Sequence, residues 1–212
     1  MIAIIDYKAG NLTSVARAVA HLGHAVEITH DLASIDQAER IIFPGVGAAG
    51  TAMANLRELG LDQALGQALR QGKPILGICL GTQIIFSASE EDGGTPCLGL
   101  LPGRVRKFPS PLLADGQRLK IPHMGWNRVD FRGAHPVFAG LDPAFAYYFV
   151  HSYYPEVEAG AEEIIVGTTV YGFPFTSAVA RDNLVAVQFH PEKSGPGGLR
   201  ILENFCAWRP SC

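Results

Sequence analysis

Long apolar runs, paired cysteines and runs of basic residues are what this chain of 212 residues lacks. No stretch approaches the roughly 18 apolar residues that a membrane-spanning helix needs, and no basic segment followed by an apolar one opens the chain as an export signal would. The four cysteines, Cys79, Cys97, Cys206 and Cys212, form no C-x-x-C pair, which fits a reducing cytoplasm better than a disulfide framework. Seven histidines stand without H-x-x-x-H spacing, so no zinc site is expected. With 17 basic and 20 acidic residues the formal charge is -3 and there is no basic run, which argues against nucleic acid or an anionic membrane as partner. Internal repeats, low-complexity segments and linker-like stretches are also missing, so residues 1–212 are expected to form a single domain.

What is present begins with alternation. Strand-length apolar runs occur at 1–6, 25–29, 40–43 and 74–78. Between them lie Leu12, Val15, Ala16, Val19 and Leu22 at helical spacing, with Asn11 as candidate N-cap and Gly23 as stop, and a helical region over 53–71. Strand and helix in alternation predict an α/β fold with a parallel sheet. Residues 87–101, including Glu90, Glu91 and Asp92, read as loop. Beyond them, β-type runs at 104–108, 119–122, 126–131, 145–154, 163–171, 175–180 and 184–189 predict antiparallel strands, with a hairpin turn at 181–183. Residues 195–198 break the chain, and 199–208 read as a closing helix.

The stretch 73–83, K-P-I-L-G-I-C-L-G-T-Q, carries the chemistry. Cys79 falls between a buried strand and a helix, flanked by Gly77 and Gly81, which permit backbone crowding that a β-carbon would obstruct. This is a nucleophile elbow with sulfur in place of oxygen. It presents the side chain beside unpaired helix N–H groups that favour thiolate. The alternative is that Cys79 is a small buried hydrophobe.

A nucleophile needs a base, and Q-F-H-P-E-K-S at 188–194 offers one. His190 and Glu192 lie two apart across Pro191, so an extended chain would put them on one side, the carboxylate orienting the imidazole. His190 would take the thiol proton and return it to a leaving amine. The developing oxyanion would meet the Leu80 N–H and an N–H from residues 45–47, within P-G-V-G at 44–47. The same glycines begin G-V-G-A-A-G at 45–50, a dinucleotide-type fingerprint. It follows the third strand rather than the first, and no acid stands about 20 residues on, so that reading is set aside and no cofactor is expected.

P-G-V-G, G-I-C-L-G-T-Q at 77–83 and Q-F-H-P-E at 188–192 together resemble the triad-type, class I glutamine amidotransferases. I-A-I-I-D-Y-K-A-G-N-L at 2–12, I-P-H-M-G-W-N at 121–127 and Y-F-V-H-S-Y at 148–153 narrow the resemblance to the glutaminase subunits of imidazole glycerol phosphate synthases. The resemblance implies a flavodoxin-like class I glutamine amidotransferase fold: a central, mostly parallel sheet flanked by helices, with antiparallel strands in the second half. It implies a triad of Cys79, His190 and Glu192, and an oxyanion and substrate loop of Gly45, Val46 and Gly47 with Leu80. Gln83, Glu91, Ser152 and Tyr153 would bind L-glutamine, Glu90 being an alternative to Glu91. The implied partner is a (β/α)8-barrel synthase (cyclase) subunit, met in a heterodimer by His123, Met124, Trp126 and Asn127. From residue type alone Met124 and Trp126 would belong to the core. Open alternatives are a glutaminase for another synthase, a cysteine peptidase on the same scaffold, and a non-catalytic dinucleotide-binding module.

Overall fold

The computed structural model of the chain describes residues 1–8, 10, 12–114 and 116–210. Its first half runs β1 (Ile2–Ile5), α1 (Leu12–His21), β2 (Val26–Thr29), α2 (Leu32–Gln37), β3 (Arg40–Gly45), α3 (Ala49–Glu58), α4 (Leu61–Arg70), β4 (Ile75–Cys79) and α5 (Leu80–Ile84). The second half holds β5 (Ala88–Ser89), β6 (Thr95–Pro96), β7 (Gly103–Lys107), β8 (Leu112–Ala114), β9 (Gln117–Leu119), β10 (His123–Arg128), β11 (Asp130–Phe131), β12 (Ala146–His151), β13 (Tyr153–Val157), β14 (Ile165–Tyr171), β15 (Phe173–Arg181) and β16 (Leu184–Val187), and closes on α6 (Gly195–Ala207).

An eight-stranded sheet runs β11-β14-β15-β16-β4-β3-β1-β2. It is parallel from β2 to β16 and antiparallel from β16 to β11. The central strands are apolar on both faces because helices cover both. On one face Ile2, Ile4, Ile42, Leu76, Ile78, Val185 and Val187 meet α1 through Val15 and Val19 and α6 through Ile201, Leu202 and Phe205. On the other, Ala3, Ile5, Ile41, Phe43, Ile75, Leu184 and Ala186 meet α2 to α5 through Ile35, Met53, Leu56, Leu65, Leu80 and Ile84. Alternation along each strand thus feeds two cores from one sheet.

Several elements differ from the expected ones. The helix expected over 53–71 is two, because Gly60 takes φ +69°, a left-handed conformation that interrupts a helix. Helix α2 was not anticipated; Asp31 caps it by accepting the Ser34 N–H at 2.8 Å. The expected loop at 87–101 contains β5, β6 and a 3-10 turn at Glu91–Gly93. The run 145–154 parts at Ser152 into β12, which pairs with β10, and β13, which pairs with β7. The expected break at 195–198 is the first turn of α6. Its glycines are there for close approach: a β-carbon on Gly198 would lie 1.9 Å from the Pro191 carbonyl oxygen, and one on Gly197 2.7 Å from the Phe145 ring. Asn11, the expected cap of α1, lies outside the described residues.

The elbow itself is the tightest point. Cys79 ends β4 and caps α5 with φ 54° and ψ −108°, a conformation rare for any residue with a β-carbon. A β-carbon on Gly81 would fall 1.8 Å from the Phe43 carbonyl oxygen, and one on Gly77 2.9 Å from the Ala186 β-carbon. The hydroxyl of Thr82 ties α5 to β16 by donating to the Val187 carbonyl at 2.6 Å. Gly81→Ala is therefore expected to destabilise the chain by about 3 kcal/mol or more, read as a lowered denaturant midpoint in equilibrium unfolding.

Candidate active site

β3 and β4 are neighbours, with Gly45 opposite Cys79, and β16 flanks β4 on its other side. The carboxyl ends of these three strands therefore deliver the 45–47 loop, the cysteine and the 188–192 segment to one place. There a cavity of about 440 Å³ is lined by Val46, Gly47, Cys79, Leu80, Gln83, Glu91, Ser152, Tyr153 and His190, with Pro122, Val150 and His151. Gly45 is not in that lining: its Cα faces inward against Tyr7.

His190 Nδ1 is 2.8 Å from Glu192 Oε1, and both side chains are out of solvent. The contact does not arise from an extended chain. Residues Pro191–Lys193 form a 3-10 turn, which curls Glu192 back beneath the ring. The Ser194 hydroxyl donates to the His190 carbonyl at 2.6 Å, and the His190 N–H donates to the Tyr148 carbonyl at 2.9 Å, fixing that turn against β12. Burial alone pushes the His190 pKa down, but the Cys79 sulfur and the Glu192 carboxylate outweigh it and raise the pKa to about 10. The site thus favours the imidazolium form of His190.

Gln83 is nearly enclosed. Its Nε2 donates to the Tyr153 carbonyl and to Gln188 Oε1, both at 3.0 Å, and Gln188 Nε2 stands 3.8 Å from Cys79 Sγ. Glu91 reaches the cavity while one carboxylate oxygen accepts the Ala49 N–H at 2.8 Å at the start of α3. Burial pushes its pKa up, partly opposed by that hydrogen bond. Glu90 turns elsewhere, pairing with Arg106 at 2.9 Å and accepting the Lys107 N–H at 2.8 Å. Of the two acids, the cavity receives Glu91.

The four residues expected at a partner face separate. Along β10 the residues alternate, leaving Met124 62% and Trp126 59% exposed. His123 is not on that surface: its ring is buried, stacked 4.0 Å from Tyr171 and 4.8 Å from Phe149. Strand alternation sends it inward, which corrects its expected placement beside Met124. It belongs to a polar chain. His151 Nδ1 donates to the Tyr153 carbonyl at 2.7 Å, so His151 Nε2 accepts from His123 Nδ1 at 3.0 Å, and His123 Nε2 accepts from Asn127 Nδ2 at 3.2 Å. Burial holds His151 down to about 3 and His123 to about 4, so both stay neutral and their tautomers are set by these bonds.

The chain matches the model of the family "Glutamine amidotransferase class-I" over residues 3–208. The chain belongs to the class-I glutamine amidotransferases. Two relatives, each named "Imidazole glycerol phosphate synthase subunit HisH", are those of Desulfovibrio desulfuricans, 51% identical over 97% of this chain and 93% of its own, and Methylococcus capsulatus, 50% identical over 99% and 97%. Among solved structures, PurLQS from Thermotoga maritima shares the fold with a TM-score of 0.75 at 17% identity, covering 97% of both chains. A structure described as glutamine amidotransferase does so at 0.73 and 18%, covering 97% of this chain and 100% of that one.

In this amidotransferase, the residues that sequence reasoning left without a role are His151, Gln188 and Tyr7. All three lay inside motifs already singled out, but only the fold shows that β12 ends at the cavity, that Gln188 spans Gln83 and Cys79 and that the Tyr7 side chain is buried against Gly45. The histidines predict an opposed pH response. His123 and His151 have lowered pKa values, so their stabilising contribution is present above pH 6.5 and is lost as pH falls toward 3. His190 has a raised one, so its contribution is present below pH 6.5 and is lost as pH rises toward 10. Stability of the amidotransferase should therefore be greatest near pH 6.5, its alkaline limb approaching about 1.4 kcal/mol per pH unit at the steepest. Denaturant unfolding across pH 4–10 checks this, and Glu192→Gln should flatten the alkaline limb while sparing the acid one.

Proposed function

We propose that the chain is the glutaminase subunit of an imidazole glycerol phosphate synthase. It hydrolyses L-glutamine to glutamate and ammonia. The ammonia passes to a (β/α)8-barrel synthase subunit, which makes imidazole glycerol phosphate and AICAR in histidine biosynthesis. The observation that carries this reading is a strained cysteine elbow opening into the same cavity as a buried, carboxylate-held histidine. Near-full-length relatives at about 50% identity bearing the synthase-subunit name support the choice of synthase. The whole chain acts as one amidotransferase domain, and we place it in the cytoplasm.

The chemistry follows from the positions. Cys79 Sγ, as thiolate, attacks the side-chain amide carbon of glutamine, and the carbonyl π electrons move to oxygen. The Leu80 N–H and an N–H of the 45–47 loop receive that oxyanion. His190, held through Nδ1 by Glu192, gives its Nε2 proton to the leaving nitrogen, so ammonia departs and a thioester remains. Water then adds to the thioester, His190 taking its proton, and glutamate leaves with the thiolate restored. Glu91 provides the anion for the substrate α-ammonium. Gln83, Ser152 and Tyr153 shape the same end of the cavity, Gln83 mainly by fixing the Tyr153 carbonyl.

Met124 and Trp126 form the docking face for the synthase subunit. Large apolar side chains more than half exposed on a regular strand are the kind that bury at an interface core. Asn127 and His123 lie behind them, between that face and the cavity, so docking bears on the glutamine site through β10 and β12.

Two measurements test the reading. Glutamate release by the chain mixed with a barrel synthase subunit and its nucleotide ligand should be lost in Cys79→Ala; release that survives the substitution would overturn the assignment of the nucleophile. Trp126→Ala should weaken subunit association by at least about tenfold while leaving the unfolding midpoint of the free chain unchanged; unaltered association would remove β10 from the interface.

A further inference from the structure

Tyr7 follows β1, and its side chain is wholly buried, 1% exposed, with its ring 5.3 Å from Phe43. The Tyr7 backbone carbonyl accepts Asn55 Nδ2 at 3.0 Å, but the hydroxyl has no hydrogen-bond partner among the described residues. An unpaired buried hydroxyl is unfavourable, and phenylalanine would fill the same volume without it. The place of this hydroxyl gives it a use. A β-carbon on Gly45 would fall 1.7 Å from the hydroxyl oxygen and 3.2 Å from the Leu80 β-carbon. The oxygen therefore lies against the first glycine of the 45–47 loop, at its junction with the start of α5, on the sheet rung where Gly45 stands opposite Cys79. Burial, and then the nearby Cys79 sulfur, push the phenol pKa far up, so the group remains a proton donor throughout the working pH range.

The loop beside it has room to turn. Gly47 sits at φ +104° with open space around its would-be β-carbon, and Val46 is 38% exposed. In a planar peptide the N–H and C=O point opposite ways. Any rotation that aims a loop N–H into the cavity drives a loop carbonyl back toward the interior, where it needs a donor.

We propose that Tyr7 is a positioning residue of the oxyanion loop, its hydroxyl donating to the carbonyl that residues 45–47 turn inward when they aim an N–H at the substrate oxygen. This rests on the glutaminase reading above and names a residue of the same site. The donor is unpaired in this arrangement of the loop, and the hydrogen bond forms as the loop takes up its catalytic one. Gly45 is glycine because the hydroxyl occupies the space of its side chain.

The test is Tyr7→Phe in the full chain, assayed with the synthase subunit and its nucleotide ligand. Glutamine hydrolysis should show kcat reduced by about tenfold, less than the loss of a direct oxyanion donor, with KM within about twofold. The thermal midpoint should be equal or higher, and iodoacetamide should alkylate Cys79 at the unaltered rate. Unchanged kcat, or a rise in KM that accounts for the whole loss, would overturn the proposal. So would a parallel fall in alkylation, which would place the hydroxyl on the sulfur, or a lowered midpoint with full activity, which would make it structural. Failure of the glutaminase reading has a separate signature, a parent chain whose glutamate release is absent or survives Cys79→Ala; it overturns this proposal as well.

Discussion

Everything functional hangs on a contact between backbones. At the ends of β3 and β4, the first turn of α5 lies so close to the Phe43 carbonyl that only glycine fits at 81, and the neighbouring rung leaves no space at 77 beside Ala186. That proximity holds Cys79 in a conformation it would not choose, buried at the edge of one core and lining the cavity. The strain is sustained by what surrounds it: two apolar cores on the faces of the sheet and the Thr82 hydroxyl holding α5 to β16. Loosening any of these would let the turn relax and the sulfur retreat.

The second half of the chain supplies what the elbow lacks. The antiparallel strands bring β12 alongside the 3-10 turn that carries Glu192, and the Tyr148 carbonyl and Ser194 hydroxyl fix that turn. Polar atoms around the cavity form one connected arrangement. Tyr153's carbonyl accepts from both Gln83 and His151, Gln83 reaches Gln188, and Gln188 reaches the sulfur. Such a network is costly when incomplete and rigid when complete. The hydroxyl of Tyr7, beside the loop, stands outside that arrangement.

How much of this could be read from the sequence depended on whether the cause was local. The parallel strands of the first half announce themselves as short apolar runs, and the elbow as glycines two residues either side of a cysteine. The pairing of His190 with Glu192 was legible too, though for another reason than the real one: proximity comes from a 3-10 turn after Pro191, not from strand alternation. Gly197 and Gly198 look like a chain break because the sequence does not reveal that Phe145 and the Pro191 carbonyl press on a helix there. The split of 145–154 at Ser152 depends on two different sheets competing for one run. Tyr7 stands in the motif at 2–12, but nothing in that motif reveals its hydroxyl lying unpaired against Gly45.

β10 does two jobs with one short run of residues. Its even-numbered side chains, Met124 and Trp126, stand in solvent, while His123 turns inward to the histidine chain beside the cavity. Because a pleated strand sorts its side chains by parity, the two jobs cannot be adjusted separately along its length. Deleting or inserting one residue ahead of Met124 would trade the faces, burying Met124 and Trp126 and stranding the imidazole outside. Lineages of this chain can thus vary the loops on either side of β10, but within the strand they are confined to substitution.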